Sequence, residues 1–486
     1  MPNMARTLYS VALDFGATSG RVILGQWAKN RLTLNEVHRF PNAFQTLNGH
    51  DYWDLGTLWH EARVGLQKAV AALPRGATLA SIGVDCWGVD FVLLNDAGRL
   101  VFPVHAYRDN RSQPGLQRLA NTRAALDRIY AATGIPNVFY NSSLHLEETV
   151  AHCPAITDLA TRCLFLPDYF NFLLSGRMEN ELTIASTSQL LDVHSTQWSP
   201  TALKYFRIPP QWFTPPILAG TSLGRLRPSL TQTNPALAKT RVIAVPGHDT
   251  AAAYDAMPAS PDGDDLFLSS GTWSLVGFES AQPVLGREAM AARISNERIG
   301  DGRYRPLTNV IGLWLLEGTL KDFAAHPTTD REWATLIKAA EKLPAPALLL
   351  NVNDPTFANP PSMRAAIDAH LKKRRGRVPA DLAGYTRLIC DSLGRGHADA
   401  MRAFERMAGK KFRRILIVGG GSKNRLLCQA TANAAGLPVV SFALEGTAVG
   451  NLASQLIAIG AVKDLATFRR HLGQNLPQTI YAPQPA

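Results

Sequence analysis

Val11-Ala12-Leu13-Asp14-Phe15-Gly16-Ala17-Thr18-Ser19-Gly20-Arg21-Val22 is an apolar run, an acid, a turn of small residues and a second apolar run. The pattern returns in the second half of the chain as Leu266-Phe267-Leu268-Ser269-Ser270-Gly271-Thr272-Trp273-Ser274-Leu275-Val276. Apolar segments flanking glycines and hydroxyls read as strand, tight turn, strand. A chain that begins the same hairpin twice predicts two domains of one kind.

Outward from the first copy, Leu8 to Leu13 predicts a strand, Asp14 to Gly20 a turn, Arg21 to Trp27 a second strand and Arg31 to Phe40 a third. Asp54 suits the cap of a helix whose apolar residues Leu55, Leu58, Trp59, Ala62, Leu66, Ala69, Val70 and Leu73 follow helical spacing. Pro74-Arg75-Gly76 ends it, and short strands follow over Ser81 to Asp85 and Val89 to Asn95. From Gln113 to about Phe206 the pattern is mainly helical, then Pro209, Pro210, Pro215 and Pro216 punctuate a linker. The α/β pattern resumes at Arg241. These features predict an α/β protein with an N-terminal domain over 1–240, a C-terminal domain over 241–465 and a tail over 466–486.

The 486 residues suit two or three domains, and 46% hydrophobic with 18% charged content is that of a soluble globular protein. The net charge of +11 is scattered; its densest run, Lys372-Lys373-Arg374-Arg375, reads as a solvated helix face or loop. A mild positive field suits an anionic small substrate better than nucleic acid. The five cysteines include no Cys-x-x-Cys pair, which fits a reducing cytoplasm. No signal-peptide core precedes Asp14, and no run of about 18 apolar residues exists to span a bilayer. A cytoplasmic protein without membrane or nucleic-acid partners is expected, as monomer or homodimer.

Four segments carry chemistry. Arg241 to Val245 reads as a buried strand, Pro246-Gly247-His248-Asp249 as a turn, and Thr250 to Ala256 as the start of a helix. Asp249 then lies at a strand's carboxyl end, where α/β proteins place ligands, and a lone carboxylate there can serve as a general base. The same residues also suit a helix N-cap with a packed histidine. Asp14 with the turn Ala17-Thr18-Ser19-Gly20-Arg21 can aim backbone N–H groups and hydroxyls at phosphate, with Asp14 holding Mg²⁺ through water; the alternative is a plain tight hairpin. Ser269-Ser270-Gly271-Thr272 offers the same equipment, so the two turns together favour phosphate binding.

Ile415 to Val418 runs as an apolar strand into Gly419-Gly420-Gly421, where a ring or phosphate can approach the backbone; the segment matches neither Gly-x-x-x-x-Gly-Lys-Ser/Thr nor Gly-x-Gly-x-x-Gly. In Asp85-Cys86-Trp87-Gly88-Val89-Asp90 an aromatic lies beside two carboxylates, which suits a sugar face and its hydroxyls, although Trp87 equally suits a core position. Cys86 reads as a small buried residue.

Together these segments resemble the FGGY carbohydrate kinases, and within them the rhamnulokinase branch. The resemblance also rests on Ala106-Tyr107-Arg108-Asp109-Asn110-Arg111, Pro167-Asp168-Tyr169-Phe170, Gly247-His248-Asp249-Thr250-Ala251, Leu268-Ser269-Ser270-Gly271-Thr272-Trp273-Ser274, Gly312-Leu313-Trp314-Leu315-Leu316 and Val418-Gly419-Gly420-Gly421, which recur in family order along nearly the whole chain. It implies two actin-like, ribonuclease-H-type domains with an interdomain cleft, and ATP with Mg²⁺ as cofactors. It implies that Asp249, in the second domain, takes the proton from a sugar primary hydroxyl that attacks the γ-phosphorus. His248, Thr250, Gly88 and Asn309 would surround the sugar with Asp85 and Trp87. Ala17 to Arg21 match the first phosphate loop, Thr272 the second and Gly420 the nucleotide loop. Three positions depart from the branch: Glu317 replaces a glutamine near the nucleotide, Cys86 a threonine beside the sugar, and Pro246-Gly247 is closer to other sugar kinases.

The expectation is therefore an ATP-dependent kinase of the 1-hydroxyl of L-rhamnulose, a 6-deoxy-ketohexose, with L-fuculose or another ketose as alternative. A non-catalytic ATP-binding sugar sensor or actin-like scaffold is an alternative of another class, but such a protein would be expected to lose Asp249. A phosphohydrolase built on His248-Asp249 would need a cluster of metal ligands, and His50, His60, His105 and His152 show no helical ligand spacing to it.

Overall fold

The computed structural model describes residues 7–232, 234–442 and 445–484. As far as these are described, the chain forms two compact units: Met1–Pro258, Ser280–Arg305 and Glu445–Asn475 make the first, and Ala259–Glu279, Pro306–Leu444 and Leu476–Ala486 the second. No helix among the described residues is long and apolar enough to cross a membrane.

In the first unit the opening hairpin is Leu8–Phe15 with Ser19–Ala28, antiparallel, the turn shortened to residues 16–18 because the strand runs on through Asp14. Its sheet runs in the order Arg31–Pro41, Ser19–Ala28, Leu8–Phe15, Leu79–Cys86, Arg241–Ala244, Thr221–Arg225. Leu8–Phe15, Leu79–Cys86 and Arg241–Ala244 are mutually parallel neighbours, and the flanking strands are antiparallel. The capped helix also forms, as Leu55–Ala71, with Asp54 Oδ1 accepting from Thr57 N at 2.9 Å.

The second unit repeats that order. Its sheet contains Tyr304–Ile311, Trp273–Phe278, Asp265–Ser270, Arg414–Val418, Val439–Phe442 and Gln478–Tyr481 as successive neighbours. Asp265–Ser270 pairs antiparallel with Trp273–Phe278 and parallel with Arg414–Val418, as Leu8–Phe15 does with its own neighbours. The sequence echo at 11–22 and 266–276 is thus the same hairpin at the same place in a six-strand order that both sheets contain.

The units do not follow the linear division at residue 240. Residues 241–258 and 445–475 belong to the first unit, and 476–486 to the second, so 466–486 is no separate tail. Strand pairing overrides chain order here: Arg241–Ala244 is held by Leu79–Cys86, and Gln478–Tyr481 by Val439–Phe442. The helix Gly446–Ala458 covers the first sheet, packing Ala448 and Leu452 with Ala12 and Ile23 in one apolar cluster. It also crosses the helix Asp249–Asp255 at Gly450, where a methyl group would lie 1.8 Å from the Ala252 carbonyl oxygen. Because that obstacle is backbone, Gly450→Ala is expected to destabilise the protein by about 1–3 kcal/mol, the usual range for overpacking. Urea unfolding of the variant reads this; an unchanged midpoint would mean that the two helices separate freely.

Candidate active site

Asp14 and Asp85 are paired across two parallel strands at their carboxyl ends. The next strand continues the row, since Cys86 bridges to His248 and its N–H donates to the Gly247 carbonyl at 2.8 Å. Asp14, Asp85 and Asp249 therefore gather at the ends of three adjacent parallel strands, the edge where open α/β sheets bind ligands. Burial pushes Asp85 well above its ordinary value, and the charges of Asp14 and Asp249 push it further. Asp14 is also raised by burial, with the Arg21 guanidinium acting in the other direction. Arg21 bridges Asp14 to Glu445, whose Oε2 lies 2.5 Å from Nη1. Asp85 is 0% exposed; its Oδ2 accepts from Asn451 Nδ2 at 2.5 Å, while Oδ1 is buried and meets no hydrogen-bond donor.

Asp249 is different. It opens the helix Asp249–Asp255, one residue earlier than the sequence predicts, and its side chain is 31% exposed. Its Oδ1 accepts from Thr250 N at 2.5 Å and Thr250 Oγ1 at 3.0 Å, and His248 Nε2 lies 3.3 Å from the same oxygen. The loop below is fastened by Glu181, which is 1% exposed and whose Oε2 accepts from Gly247 N at 2.9 Å, Thr183 N at 2.9 Å and Thr183 Oγ1 at 2.6 Å. Thr183 Oγ1 in turn accepts from His248 N at 3.3 Å. With Ile184 N at 3.1 Å the same oxygen collects four donors, and a buried carboxylate so bonded holds a turn firmly.

Gly88 stands against the histidine: a Cβ there would lie 3.2 Å from His248 Nε2. The next residue, Val89, has φ 72°, a strained conformation for a β-branched residue, and Asp90 N donates to Gly88 O at 3.0 Å to close the turn. Such a backbone costs about 1–3 kcal/mol and persists only where its surroundings impose it. Here Val89 N donates to Thr187 Oγ1 at 3.2 Å and Ser142 Oγ donates to Val89 O at 2.5 Å. The strand expected from Val89 consequently starts at Phe91.

Two sugar-side expectations change. Trp87 is only 5% exposed and packs on Trp53, with ring centroids 4.3 Å apart and the planes tilted by 40°. Both indole N–H groups donate to Asp90 Oδ2, at 2.8 Å from Trp87 and 2.6 Å from Trp53, and burial raises the Asp90 carboxyl to about 7 against those bonds. Trp87 takes the core alternative and supports the turn from behind. Asp85 is likewise fully buried and belongs with Asp14 rather than on a sugar hydroxyl. Cys86 is a buried core residue, as expected.

In the first turn Gly16 N donates to Ser19 O at 3.0 Å and Asn42 Nδ2 to Gly16 O at 2.9 Å, leaving Thr18 exposed at the tip between Ala17 and Ser19. Gly20 is fixed by packing, because a Cβ would lie 2.1 Å from the Phe40 ring. In the second unit the hairpin turn meets the glycine turn: a Cβ at Gly419 would lie 2.6 Å from Ser270 O, and one at Gly421 2.1 Å from Ser270 Oγ. That hydroxyl is buried without a partner, Thr272 O accepts from Gly312 N at 3.1 Å, and Gly420 has open space beside it. Glu317 lies on the helix Trp314–Asp322 and is met by His326 Nε2 at 2.8 Å, a bond that raises the histidine's pKa. Asn309 is exposed on its strand, paired with Leu275.

Asn451, Glu445, Glu181, Glu297 and Arg305 have no signature in the sequence. Asn451 reaches Asp85 across 366 residues, and nothing local marks such a pairing.

A raised carboxyl makes folding take up a proton, so the Asp85 contribution is complete below its ordinary pKa near 3.8 and is lost as pH rises through the higher folded value. Asp85→Asn keeps an acceptor for Asn451 and removes the charge. It is expected to be more stable than the parent at pH 8, with the difference vanishing by about pH 4. Urea midpoints across that range check this; a variant less stable at pH 8 would refute the buried-charge account.

Residues 9–254 match the N-terminal domain of the FGGY family of carbohydrate kinases, and residues 266–459 match its C-terminal domain. Among solved structures, xylulose kinase from Rhodospirillum rubrum superposes with a TM-score of 0.79 at 19% identity, over 99% of this chain and 95% of that one. Gluconate kinase from Lactobacillus acidophilus gives 0.80 at 16% identity, over 99% and 94%. Glycerol kinase from Plasmodium falciparum, with ADP, gives 0.80 at 14%, over 98% and 94%. At these identities the structures share the fold, while the two domain matches fix the family. This mixed α/β chain with its duplicated sheet belongs to the FGGY family of carbohydrate kinases.

Proposed function

We propose that the protein transfers the γ-phosphoryl group of ATP to the 1-hydroxyl of a ketose, with L-rhamnulose as the first acceptor to test. The observation that carries the reaction is the difference between three neighbouring carboxylates. Asp14 and Asp85 are buried, whereas Asp249 is partly exposed with one oxygen tied. Its Oδ2 has no donor among the described residues, and that oxygen can take a proton.

In the proposed step the acceptor hydroxyl is held near His248 and Thr250, and its oxygen attacks the γ-phosphorus. The O–P bond to ADP breaks, and the hydroxyl proton passes to Asp249 Oδ2. Phosphoryl transfer runs through a loose transition state, so the nucleophile needs little activation in advance and positioning supplies most of the rate. Thr250 and His248 fix the carboxylate's rotation, and Glu181 fixes the loop that carries it. Thr18, Ser19, Arg21, Thr272 and Gly420 are the groups proposed to meet phosphates.

The residues also fit a divalent cation. Among the described residues no three or more His, Cys, Asp or Glu are grouped as direct metal ligands. A hydrated Mg²⁺ needs only one or two carboxylates, and the buried Asp85 Oδ1 without a donor is a place for cation-bound water to bond. Asp14 and Asp85 would hold it, and when bound it would neutralise charge on the phosphates.

The preference for a 6-deoxy-ketohexose rests on the sequence resemblance, and its test is acceptor competition. Coupled ADP release is to be measured with L-rhamnulose, L-fuculose, L-ribulose, L-xylulose, D-xylulose and glycerol. L-Rhamnulose is expected to exceed the others by at least about tenfold in kcat/KM, or roughly 1.4 kcal/mol. A xylulose or glycerol maximum would retain the kinase and reject this acceptor. Asp249→Asn is expected to lower kcat by more than about a hundredfold while ATP still binds; more than a tenth of parental turnover would rule out its role as base.

A further inference from the structure

Behind the proposed base lies a trio, Arg305 fully buried and Glu297 and His248 partly so, that neither the sequence motifs nor the family match identifies. Arg305 is 0% exposed and forms a tight ion pair with Glu297 Oε2. Its Nη2 also lies 2.5 Å from His248 Nδ1, and Glu297 Oε2 lies 3.1 Å from that nitrogen. On the other side of the ring, Nε2 faces Asp249 Oδ1 at 3.3 Å. Although burial pushes Glu297 up, the Arg305 charge beside it holds it at about 2, so it stays ionised opposite the guanidinium.

The donor inventory decides what this geometry means. A guanidinium has only N–H groups and accepts nothing. Its contact with Nδ1 is a hydrogen bond only if Nδ1 carries the lone pair; a protonated Nδ1 would put two N–H groups 2.5 Å apart and would have only Glu297 Oε2, at 3.1 Å and already paired with Arg305, to donate to. In the neutral ring the proton then resides on Nε2, which points at Asp249. The arrangement is costly, since Arg305 Nε and Nη1 are buried without hydrogen-bond partners. A fold that buries a whole guanidinium beside an imidazole, with two of its donors unmet, is imposing an orientation on that ring.

We propose that Arg305 and Glu297 are positioning residues that lock His248 in its Nε2–H tautomer. The ring then donates to Asp249 Oδ1, joins the two Thr250 donors there and leaves Oδ2 for the acceptor hydroxyl. Glu297 acts one step further back by neutralising Arg305 and fixing its plane. The inference rests on the reading of Asp249 as base, but its central claim concerns a proton position that can be measured without turnover.

Histidine labelled with ¹⁵N in the full-length protein reports the tautomer through its side-chain shifts, with His248 assigned by the signal lost in His248→Gln. The expected result is Nε2–H in the parent and Nδ1–H in Arg305→Met, where Glu297 becomes the partner of Nδ1. Arg305→Met is also expected to lower kcat by at least about tenfold with KM for ATP within about twofold, and Arg305→Lys to recover much of the loss. A parent His248 protonated on Nδ1 overturns the proposal, even if Arg305→Met fails to fold. A loss of kcat in Arg305→Met with the tautomer unchanged also overturns it and makes Arg305 a packing residue. If Asp249 were not the base, Asp249→Asn would retain turnover while the parent tautomer stayed as stated, so the two failures are distinguishable.

Discussion

Two carboxylates buried side by side are an electrostatic cost, and much of the first unit is arranged around meeting it. Asp14 and Asp85 are opposite one another because their strands are parallel and in register, so the sheet itself creates the repulsion. Two elements answer it: the neighbouring strand supplies Arg21, itself paired with Glu445, and the late helix that follows Glu445 supplies Asn451. The helix is where it is because Gly450 lets it approach the Ala252 carbonyl and because Ala448 and Leu452 bury their side chains on the sheet. Apolar packing thus brings in the polar groups that the carboxylates need.

The same sheet edge gives the third carboxylate a different character. Asp249 begins a short, largely buried helix, yet its own side chain retains access to solvent and is anchored by local donors. Environment alone separates a buried pair of carboxylates from an accessible one. The supports are layered. Glu181 holds the loop, Thr250 holds the carboxylate, and the Arg305–Glu297 pair faces the ring of His248. The strained Val89 turn, backed by Asp90 and two tryptophans, keeps Gly88 against that ring with no side chain between them.

Duplication explains why the second unit looks familiar without carrying the same chemistry. Its hairpin has Ser269 and Ser270 where the first has Asp14 and Phe15, so the same strand positions carry hydroxyls instead of an acid. Ser270 packs under the glycine turn at 419–421, which a side chain at either end of that turn would obstruct. Glu317 in this unit is met by His326, which gives its charge a local partner.

The sequence by itself determined the α/β class, the repeated hairpin, the capped helix from Leu55, the family, and the candidacy of Asp14 and Asp249. Each depends on residues close together in the chain: period-two apolar runs, a capping aspartate, glycine at a turn. Tertiary structure decided what depends on partners far away. It moved 241–258 and 445–475 into the first unit, because strand pairing and helix packing ignore chain order. It also placed Trp87 in the core, where Asp90 takes its N–H, and assigned Asp85 to Asp14 through parallel register. Asn451, Glu297 and Arg305 were invisible beforehand for the same reason. A polar side chain gains its role from the buried group it meets, and short-range pattern carries no record of that meeting.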